Sequence, residues 1–275
     1  MYLTIDVGGT KTLLAIFNSD GKIEKQQKFP TPKEYDQFIS ELRNNIEQIC
    51  MGSIKPTACA IALPGMMNRE TGVVFAFGNL DWENINISEK LQDILTCPIY
   101  IENDANLAGL AEAHSLLGEF RKVLYVTVST GIGGVYVIDG VMDPNTVDAE
   151  IGHTLFEYKG KLTRWEDFAS GKAIVAQTGK MASEITDPAD WYLVARNIAI
   201  GLINVIATLT PECVVLGGGV GAHLEQFQEK LQEELETYDD QLITLPEIRK
   251  AQHPEEAVVY GGYLLCKQNE PAKTD

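Results

Sequence analysis

The chain has 275 residues, of which 45% are hydrophobic and 22% charged. This composition is typical of a soluble globular protein with length for one large domain or two smaller ones, and we expect two. The formal net charge of −17 argues against nucleic-acid binding, which needs a clustered basic face. The same field would repel an anionic ligand, so backbone amides, a helix terminus or a metal ion must hold such a ligand locally.

The sequence carries no pattern typical of export or of a membrane anchor. Its start, MYLTIDVGG, lacks a basic segment followed by an apolar stretch, so we expect a cytoplasmic protein. The most apolar long run, residues 198–209, is short and interrupted by glycine and polar residues, and we expect no membrane span. The five cysteines are far apart, without a Cys-x-x-Cys pair, which favours reduced thiols and no cysteine zinc site.

The first predicted element is a hairpin, YLTIDVGGTKTLLAIFN, in which Gly8, Gly9, Thr10 and Lys11 form a tight turn between two strands. Glycines let backbone amides approach phosphate oxygens, while the threonine and lysine add a hydroxyl and a cation. The pattern fits a plain hairpin turn as well as a phosphate-binding turn, and it lacks the spacing of a P-loop. Asp6 is the only acid we expect in a largely buried strand, which predicts a partner such as Lys11 or a hydrated Mg²⁺.

A second candidate site lies where a later strand ends. The strand CPIYIEN places Asn103 and Asp104 at its carboxyl end, before a predicted helix, and ligands bind at such ends in open α/β sheets. The pair could simply be a helix N-cap. Alternatively, Asp104 accepts a proton from a substrate hydroxyl and Asn103 orients the substrate, with the helix dipole keeping Asp104 ionised.

A second glycine hairpin, KVLYVTVSTGIGGVYVIDG, begins at Lys122 and turns at residues 130–134. Two such hairpins, each opening an alternation of strands and helices, predict a duplicated α/β fold. The predicted segments are a first domain over 1–117, a second over 118–254, a helix completing the first over 255–267, and a polar tail over 268–275. Other helices are predicted over 34–51, 88–95, 105–117, 190–209 and 221–238.

Two further stretches carry candidate functional residues. In CVVLGGGVGAH, Gly218 and Gly219 follow a buried strand and precede a helix, where the helix terminus suits an anion, although a structural turn fits too. In AEIGHTLFEYKGKLTRWEDFASG, Glu150 and Glu166 lie on either side of His153, one of only four histidines. That pattern fits a metal site, a substrate site or an ordinary acidic loop.

Taken in order, the motifs DVGGTK, LPG, IENDANLAGLAEA, VSTGIGG, EIGH and VVLGGGVG resemble those of the ROK family, which groups bacterial sugar kinases with related sugar-responsive repressors. The resemblance covers nearly the whole chain. It implies an α/β, actin-like ATPase fold of two ribonuclease-H-like domains with a cleft between them. It also implies ATP-dependent phosphorylation of a hexose, commonly glucose at the 6-hydroxyl, with Mg²⁺ accompanying the ATP.

The resemblance further implies roles for single residues. Asp104 matches the catalytic base, and Gly65 lies in the loop beneath the sugar. The positions that match sugar-binding residues are Asn103, Glu150, His153, Glu166 and, less closely, Asn79. The positions that match the nucleotide and phosphate turns are Gly8, Gly9, Thr10, Lys11, Thr130, Gly131, Gly133, Gly218 and Gly219, and Asp6 is a candidate contact to Mg²⁺.

One departure from the family pattern concerns metal. Many members follow the EIGH histidine with a cysteine-rich zinc loop, whereas only TLFEYKGKLTRWE precedes Glu166 here. We therefore expect no zinc, and we expect His153 to contact the sugar. Without a metal, Glu166 must be held by packing, for which Trp165 and Phe168 are the candidates.

Two smaller departures affect the choice of substrate. Asp148 and Ala149 stand where Ala-Gly is usual, which adds an acid next to the pocket, and Val135 replaces a common third glycine and could crowd the phosphate side. A non-catalytic sugar-binding member, or a kinase for fructose, mannose or an N-acetylated hexosamine, stays open as an alternative. Polyphosphate is an alternative donor, although the acidic composition favours ATP. Amphipathic helices in the second half could build a homodimer.

Overall fold

The computed structural model describes residues 1–51, 54–69, 71–77, 80–238, 244–252 and 256–270. The chain divides into two compact units. The first combines residues 1–111 with 255–275, and the second comprises 112–254. Each unit contains its own five-stranded mixed sheet.

Runs of strands are separated by helices along the chain. The strands up to the middle of the chain are β1 (Tyr2–Val7), β2 (Lys11–Phe17), β3 (Ile23–Pro30), β4 (Ala58–Leu63), β5 (Met66–Asn68), β6 (Val73–Ala76), β7 (Glu83–Ile85) and β8 (Ile99–Asn103). The helices there are α1 (Tyr35–Ile49) and α2 (Asp104–Ser115). The later strands are β9 (Lys122–Val128), β10 (Ile132–Ile138), β11 (Val141–Met142), β12 (Leu155–Tyr158), β13 (Lys161–Arg164), β14 (Cys213–Gly217) and β15 (Glu247–Lys250). The later helices are α3 (Trp165–Ala169), α4 (Gly171–Thr178), α5 (Pro188–Leu209), α6 (Gly218–Gly221), α7 (Gln228–Glu236) and α8 (Ala257–Gln268).

The first unit is organised around β1, in a sheet of order β3-β2-β1-β4-β8. β1 pairs antiparallel with β2 and parallel with β4, which pairs parallel with β8. Every residue of β4 is buried, as expected for a parallel strand covered on both faces. Because Asp6 aligns with Ala62 and Asn103 with Leu63, the ends of β1, β4 and β8 meet at one edge of the sheet.

The C-terminal helix α8 packs against β1 and β4. Adjacent glycines permit this close approach. A Cβ atom at Gly261 would lie 1.9 Å from the carbonyl oxygen of Leu107, and one at Gly262 would lie 3.2 Å from Ala60. Side chains at these positions would force α8 away from the sheet and from α2.

The second unit repeats the arrangement of the first, in a sheet of order β11-β10-β9-β14-β15. Its central strand β9 pairs antiparallel with β10 and parallel with β14, and β14 pairs parallel with β15. In both sheets a glycine turn joins the central strand to its antiparallel neighbour. The structure therefore agrees with the duplicated α/β pattern predicted from the two hairpins.

The long helix α5 forms much of the core of the second unit. Asp187 caps its start, accepting a hydrogen bond from the Ala189 amide at 2.9 Å. Among the described residues it is the one helix long and apolar enough to cross a membrane, and 56% of its apolar window is buried within the protein. The sequence predicted this helix over 190–209, and its most apolar part, residues 198–209, was the run considered as a membrane span. A core helix passes the same test, so its length carries no argument for a membrane.

Two predicted helices differ from the structure. The helix expected over 88–95 is a single 3-10 turn, Ser88–Lys90. The helix expected over 221–238 is interrupted, because α6 ends at Gly221 and a 3-10 turn, Leu224–Gln226, precedes α7. In both segments, apolar residues with helical spacing are buried although they lie in turns. Their spacing alone therefore overestimated the length of these helices.

Candidate active site

The first glycine turn is a tight, internally bonded hairpin turn. The Gly8 amide donates to the carbonyl oxygen of Lys11 at 3.0 Å. A Cβ atom on Gly8 would lie 2.9 Å from that oxygen, so the close approach, rather than a positive φ, requires glycine there. The hydroxyl of Thr31 donates to the Gly8 carbonyl at 2.8 Å and its amide donates to the Thr10 carbonyl at 3.0 Å. This second anchor fixes the backbone of the turn.

Asp6 precedes this turn on β1 and has an unusual charge state. Burial raises the pKa of its carboxyl to about 7, the charge of Asp104 acts in the same direction, and Lys11 opposes both. The charge of Lys11, the partner expected from the sequence, lowers the pKa of Asp6, but burial and the second acid outweigh it. A carboxyl group with this pKa changes charge near neutral pH.

Asn103 connects the end of β8 to the loop after β4. Its side-chain oxygen accepts the Ala105 amide at 2.8 Å, and its side-chain nitrogen donates to the carbonyl oxygen of Gly65 at 3.1 Å. Gly65 adopts a φ of 132°, in the region that favours glycine. The N-cap interpretation of Asn103 is thus correct, and the same side chain also ties the Pro-Gly turn to the helix start.

Asp104 is the first residue of α2 and is half-buried. One of its carboxylate oxygens accepts the Ala105 amide at 2.8 Å. Burial nevertheless raises the pKa of Asp104 above its usual value, against the lowering effect of this amide. The helix start lowers the pKa, as the sequence argument expected, but desolvation is the larger effect and the net shift is upward.

A buried ion pair behind Asn103 was missed from the sequence. Glu102 is only 4% exposed, and its carboxylate accepts Arg69 Nε at 2.8 Å, together with a second guanidinium nitrogen. The same carboxylate accepts the Asn103 amide at 2.7 Å and Asn106 Nδ2 at 3.0 Å. Glu102 is therefore a second strand acid that is buried, although β8 as a whole is only partly buried. An acid inside the apolar strand CPIYIEN was the signal, because a buried carboxylate requires a partner.

The second glycine turn lies against a carboxylate from α3. The Ile132 amide donates to Glu166 Oε2 at 3.4 Å, and a Cβ atom on Gly131 would lie 2.7 Å from the same oxygen. The Ser129 amide donates to the Gly131 carbonyl at 2.9 Å and closes the turn. The neighbouring Thr130 is exposed, and Gly133 follows as the second residue of β10. The structure thus brings Glu166 together with one predicted phosphate turn.

His153 is the other partner of Glu166. Its Nε2 atom lies 3.2 Å from Glu166 Oε1, with side chains that are 39% and 23% exposed. The neighbouring Gly152 lies close to the backbone of Ile132. A Cβ atom at Gly152 would be 2.1 Å from the Ile132 carbonyl oxygen, so only glycine fits there. Glu150 caps the start of the 3-10 turn Ile151–His153. Its carbonyl accepts the His153 amide at 2.9 Å, and the residue is exposed.

The segment between His153 and Glu166 folds as a hairpin of β12 and β13. Lys159 and Gly160, with φ of 51° and 79°, form its turn. In the described part of the chain, no group of three or more His, Cys, Asp or Glu side chains could hold a metal ion. Trp165 and Phe168, the candidates for packing around Glu166, precede and follow it in α3 and are buried, at 0% and 1% exposure.

The third glycine turn follows β14. Gly218 has a φ of 77°, and a Cβ atom there would lie 2.5 Å from the carbonyl oxygen of Val128, whereas Gly219 faces open space. The helix expected to follow is only the short α6. The predicted contribution of a helix dipole is therefore weak here, because few peptide dipoles align behind the turn. Close approach to the backbone at Gly219 is the remaining basis for an anion site.

Two further positions named in the sequence analysis are Val135 and Asn79. Val135 is buried inside β10, where it pairs with Tyr125. Asn79 lies outside the described residues.

Two sheets of the same strand order, each with a glycine turn beside its central strand, define the actin-like ATPase fold, which solved ROK sugar kinases share. The chain belongs to the ROK family, whose model matches residues 2–269. It is 28% identical over 235 residues to a fructokinase from Lactococcus lactis subsp. cremoris, covering 80% of this chain and 79% of that relative. It is 25% identical to a glucokinase from Halalkalibacterium halodurans over an alignment of 315 positions, which covers 98% of this chain and 96% of that relative. The solved ROK hexokinase from Thermus thermophilus superposes with a TM-score of 0.82 at 28% identity, covering 98% of this chain and 99% of that one.

Proposed function

We propose that this protein is an ATP-dependent hexose kinase, most simply a glucokinase that forms glucose 6-phosphate, with Asp104 as the base. The observation that carries the proposal is the placement of Asp104. It is a half-buried carboxylate at the carboxyl edge of the sheet, next to the contact of Asn103 with the Gly65 loop. Kinases that act on a fructose or a glucose, by name, are among the relatives.

In the proposed reaction, Asp104 accepts a hydrogen bond from the sugar hydroxyl and takes its proton as the oxygen attacks the γ-phosphorus of ATP in line. The bond from that phosphorus to the β,γ-bridging oxygen breaks, and ADP leaves. The raised pKa of Asp104 makes the carboxylate a better proton acceptor than an exposed aspartate. Its work is chiefly orientation, because the loose transition state of phosphoryl transfer requires positioning and neutralisation of charge.

The residues that would hold ATP and Mg²⁺ have suitable chemistry. Gly8 keeps the first turn compact, and Gly219 leaves open space at the third turn, so backbone amides can approach phosphate oxygens. Asp6, ionised above about pH 7, would bind Mg²⁺ directly or through water. Mg²⁺ supplies neutralisation of the negative charge on the phosphates.

The sugar would be recognised by polar side chains. We assign this role to Asn103, Glu150, His153 and Glu166, with Gly65 in the supporting loop. A polar group that the ligand buries without a partner would cost about 1–3 kcal/mol, which favours a hydroxyl-rich ligand. Fructose, mannose and N-acetylated hexosamines are the alternative substrates, and the charge of −17 disfavours polyphosphate as donor.

A coupled assay of ADP release across a panel of hexoses tests the proposal. We expect turnover with ATP and at least one hexose, with glucose as the best substrate. Sugar-stimulated turnover with none of them would refute the kinase assignment. Binding of a sugar in calorimetry without turnover would instead indicate a non-catalytic sugar-binding member of the family.

We further propose that the enzyme acts in the cytoplasm and forms a homodimer. α7 is amphipathic, with Leu231 and Leu235 buried beside a largely charged remainder. Cell fractionation and light scattering coupled to gel filtration test these two points. A membrane-bound or strictly monomeric protein would contradict them.

A further inference from the structure

The helix α5 inserts one buried amide side chain among the segments that surround Glu166. Asn197 is 1% exposed. Its Nδ2 donates to the Phe168 carbonyl at 2.9 Å and to Gln177 Oε1 at 3.0 Å, while its Oδ1 accepts the Tyr158 hydroxyl at 3.2 Å. Its backbone carbonyl accepts the indole N–H of Trp165 at 3.1 Å. One residue therefore bonds to the hairpin, to α3 and to α4.

One helical turn further along α5, Gly201 provides space for the same tryptophan. A Cβ atom at Gly201 would lie 2.1 Å from two carbons of the Trp165 indole. Trp165 is fully buried, so it cannot move aside without disturbing the core around it. Asn197 and Gly201 together form a seat on α5 for the residue that directly precedes Glu166.

Trp165 and Phe168 also contact the hairpin close to His153, the partner of Glu166. The Trp165 amide donates to the Thr154 carbonyl at 2.9 Å, next to His153. The Tyr158 ring stacks on Phe168 with centroids 4.3 Å apart and planes at 8°. The two ends of the hairpin are thus fixed by one set of contacts, and the Glu166 carboxylate lies between His153 and the Ile132 amide.

We infer that Asn197 and Gly201 are positioning residues for the Glu166–His153 pair, acting through a structure that we call the α5 brace. The α5 brace consists of Asn197 and Gly201 with Tyr158, Trp165 and Phe168. It is built from neutral hydrogen bonds and aromatic packing, so it holds the pair without a metal ion. A buried amide whose groups are all bonded defines one arrangement, because any other leaves a polar group unpaired. The inference rests on the proposed function in assigning Glu166 and His153 to the sugar.

The main test compares Asn197→Ala and Gly201→Ala with Asn204→Ala. Asn204 is exposed on the same helix, and among the described contacts its side chain bonds only to the Ile200 carbonyl, which makes it a matched control. We expect the two brace variants to raise the Kd and KM for the sugar about tenfold. We expect kcat to change by less than about threefold, because Asp104 belongs to a separate set of contacts. A lower thermal stability with an unchanged sugar KM would show a purely structural role and overturn the inference.

A milder variant covers the case in which Asn197→Ala does not fold. Tyr158→Phe removes the hydroxyl that bonds to Asn197 and keeps the ring stacked on Phe168. We expect a folded protein with a sugar Kd raised about threefold. A sugar Kd equal to that of the wild type would overturn the inference.

Two measurements separate the inference from the proposed function. Hydrogen exchange of residues 153–166 needs no sugar, and we expect faster exchange there in Asn197→Ala than in Asn204→Ala. Equal exchange would refute the α5 brace even in a protein that phosphorylates glucose, whereas absence of sugar binding by the wild type would refute only the proposed function. In calorimetry without ATP, sugar affinity should be unchanged by EDTA, and a large loss would contradict a metal-free brace.

Discussion

Two regions of the molecule hold candidate functional residues by different means. The Asp104 region, residues 102–106 with Gly65 and Arg69, uses a helix cap and a buried ion pair. The Glu166 region, residues 153–168, uses neutral hydrogen bonds and stacked rings supplied partly by α5. Removing one partner of a buried ion pair leaves an uncompensated charge, which costs much stability. Removing one neutral hydrogen bond or ring contact costs less free energy. We therefore expect abrupt losses in the first region and graded losses in the second.

Asp104→Asn tests the first region most directly and should have the largest effect. The amide keeps the shape of the side chain but cannot accept the proton, so turnover should fall about 10³-fold or more. Sugar affinity should stay within about tenfold. Steady-state kinetics and calorimetry measure the two quantities, and retained turnover would show that Asp104 is not the base.

Arg69→Met should cause the next largest loss, this time in stability. It leaves the buried Glu102 carboxylate without its cation, which should lower the free energy of unfolding by about 2–4 kcal/mol. Arg43→Met is the matched control, because Arg43 pairs with an exposed acid, Asp93, and such pairs contribute little. Urea denaturation of both variants decides the matter, and equal stabilities would contradict the distinction.

Asp6 makes the stability of the first region depend on pH. Its pKa is raised from 3.8 to about 7 in the folded state, so the folded protein binds the proton more tightly than the unfolded chain. This contribution is complete below about pH 4 and is lost as pH rises through 7. Compared with Asp6→Asn, the ligand-free wild type should lose roughly 2–3 kcal/mol of stability between pH 5 and pH 8. Parallel pH profiles of the two proteins in denaturation experiments would disprove the shift.

Gly131→Ala should have the smallest effect and tests the graded response of the second region. The new methyl group meets the end of the flexible Glu166 side chain at 2.7 Å, which can move. We expect a sugar KM raised about threefold with little change in stability. Gly134→Ala provides the contrast, because its methyl group would lie 2.5 Å from the backbone oxygen of Tyr125 and should destabilise the fold instead. The reverse pattern in kinetics and thermal unfolding would contradict this assignment.

The sequence by itself determined the features that depend on local backbone requirements. The glycine turns at Gly8 and Gly218 were readable because a tight turn or a positive φ needs glycine in any context. The ordered motifs also identified the family, and burial of Trp165 and Phe168 followed from their apolar surface. Such features depend on neighbouring residues, which the sequence displays directly.

Only the tertiary structure decided the pKa shifts of the acids and the contacts that hold the candidate site residues in place. Burial raises the pKa of Asp6 and of Asp104, and burial depends on atoms from many parts of the fold. The helix start alone would lower the pKa of Asp104. The pairing of Glu102 with Arg69 and the seat of Trp165 on α5 join residues about thirty positions apart. No local pattern specifies such partners, because many side chains could satisfy them and the packing of the elements selects one.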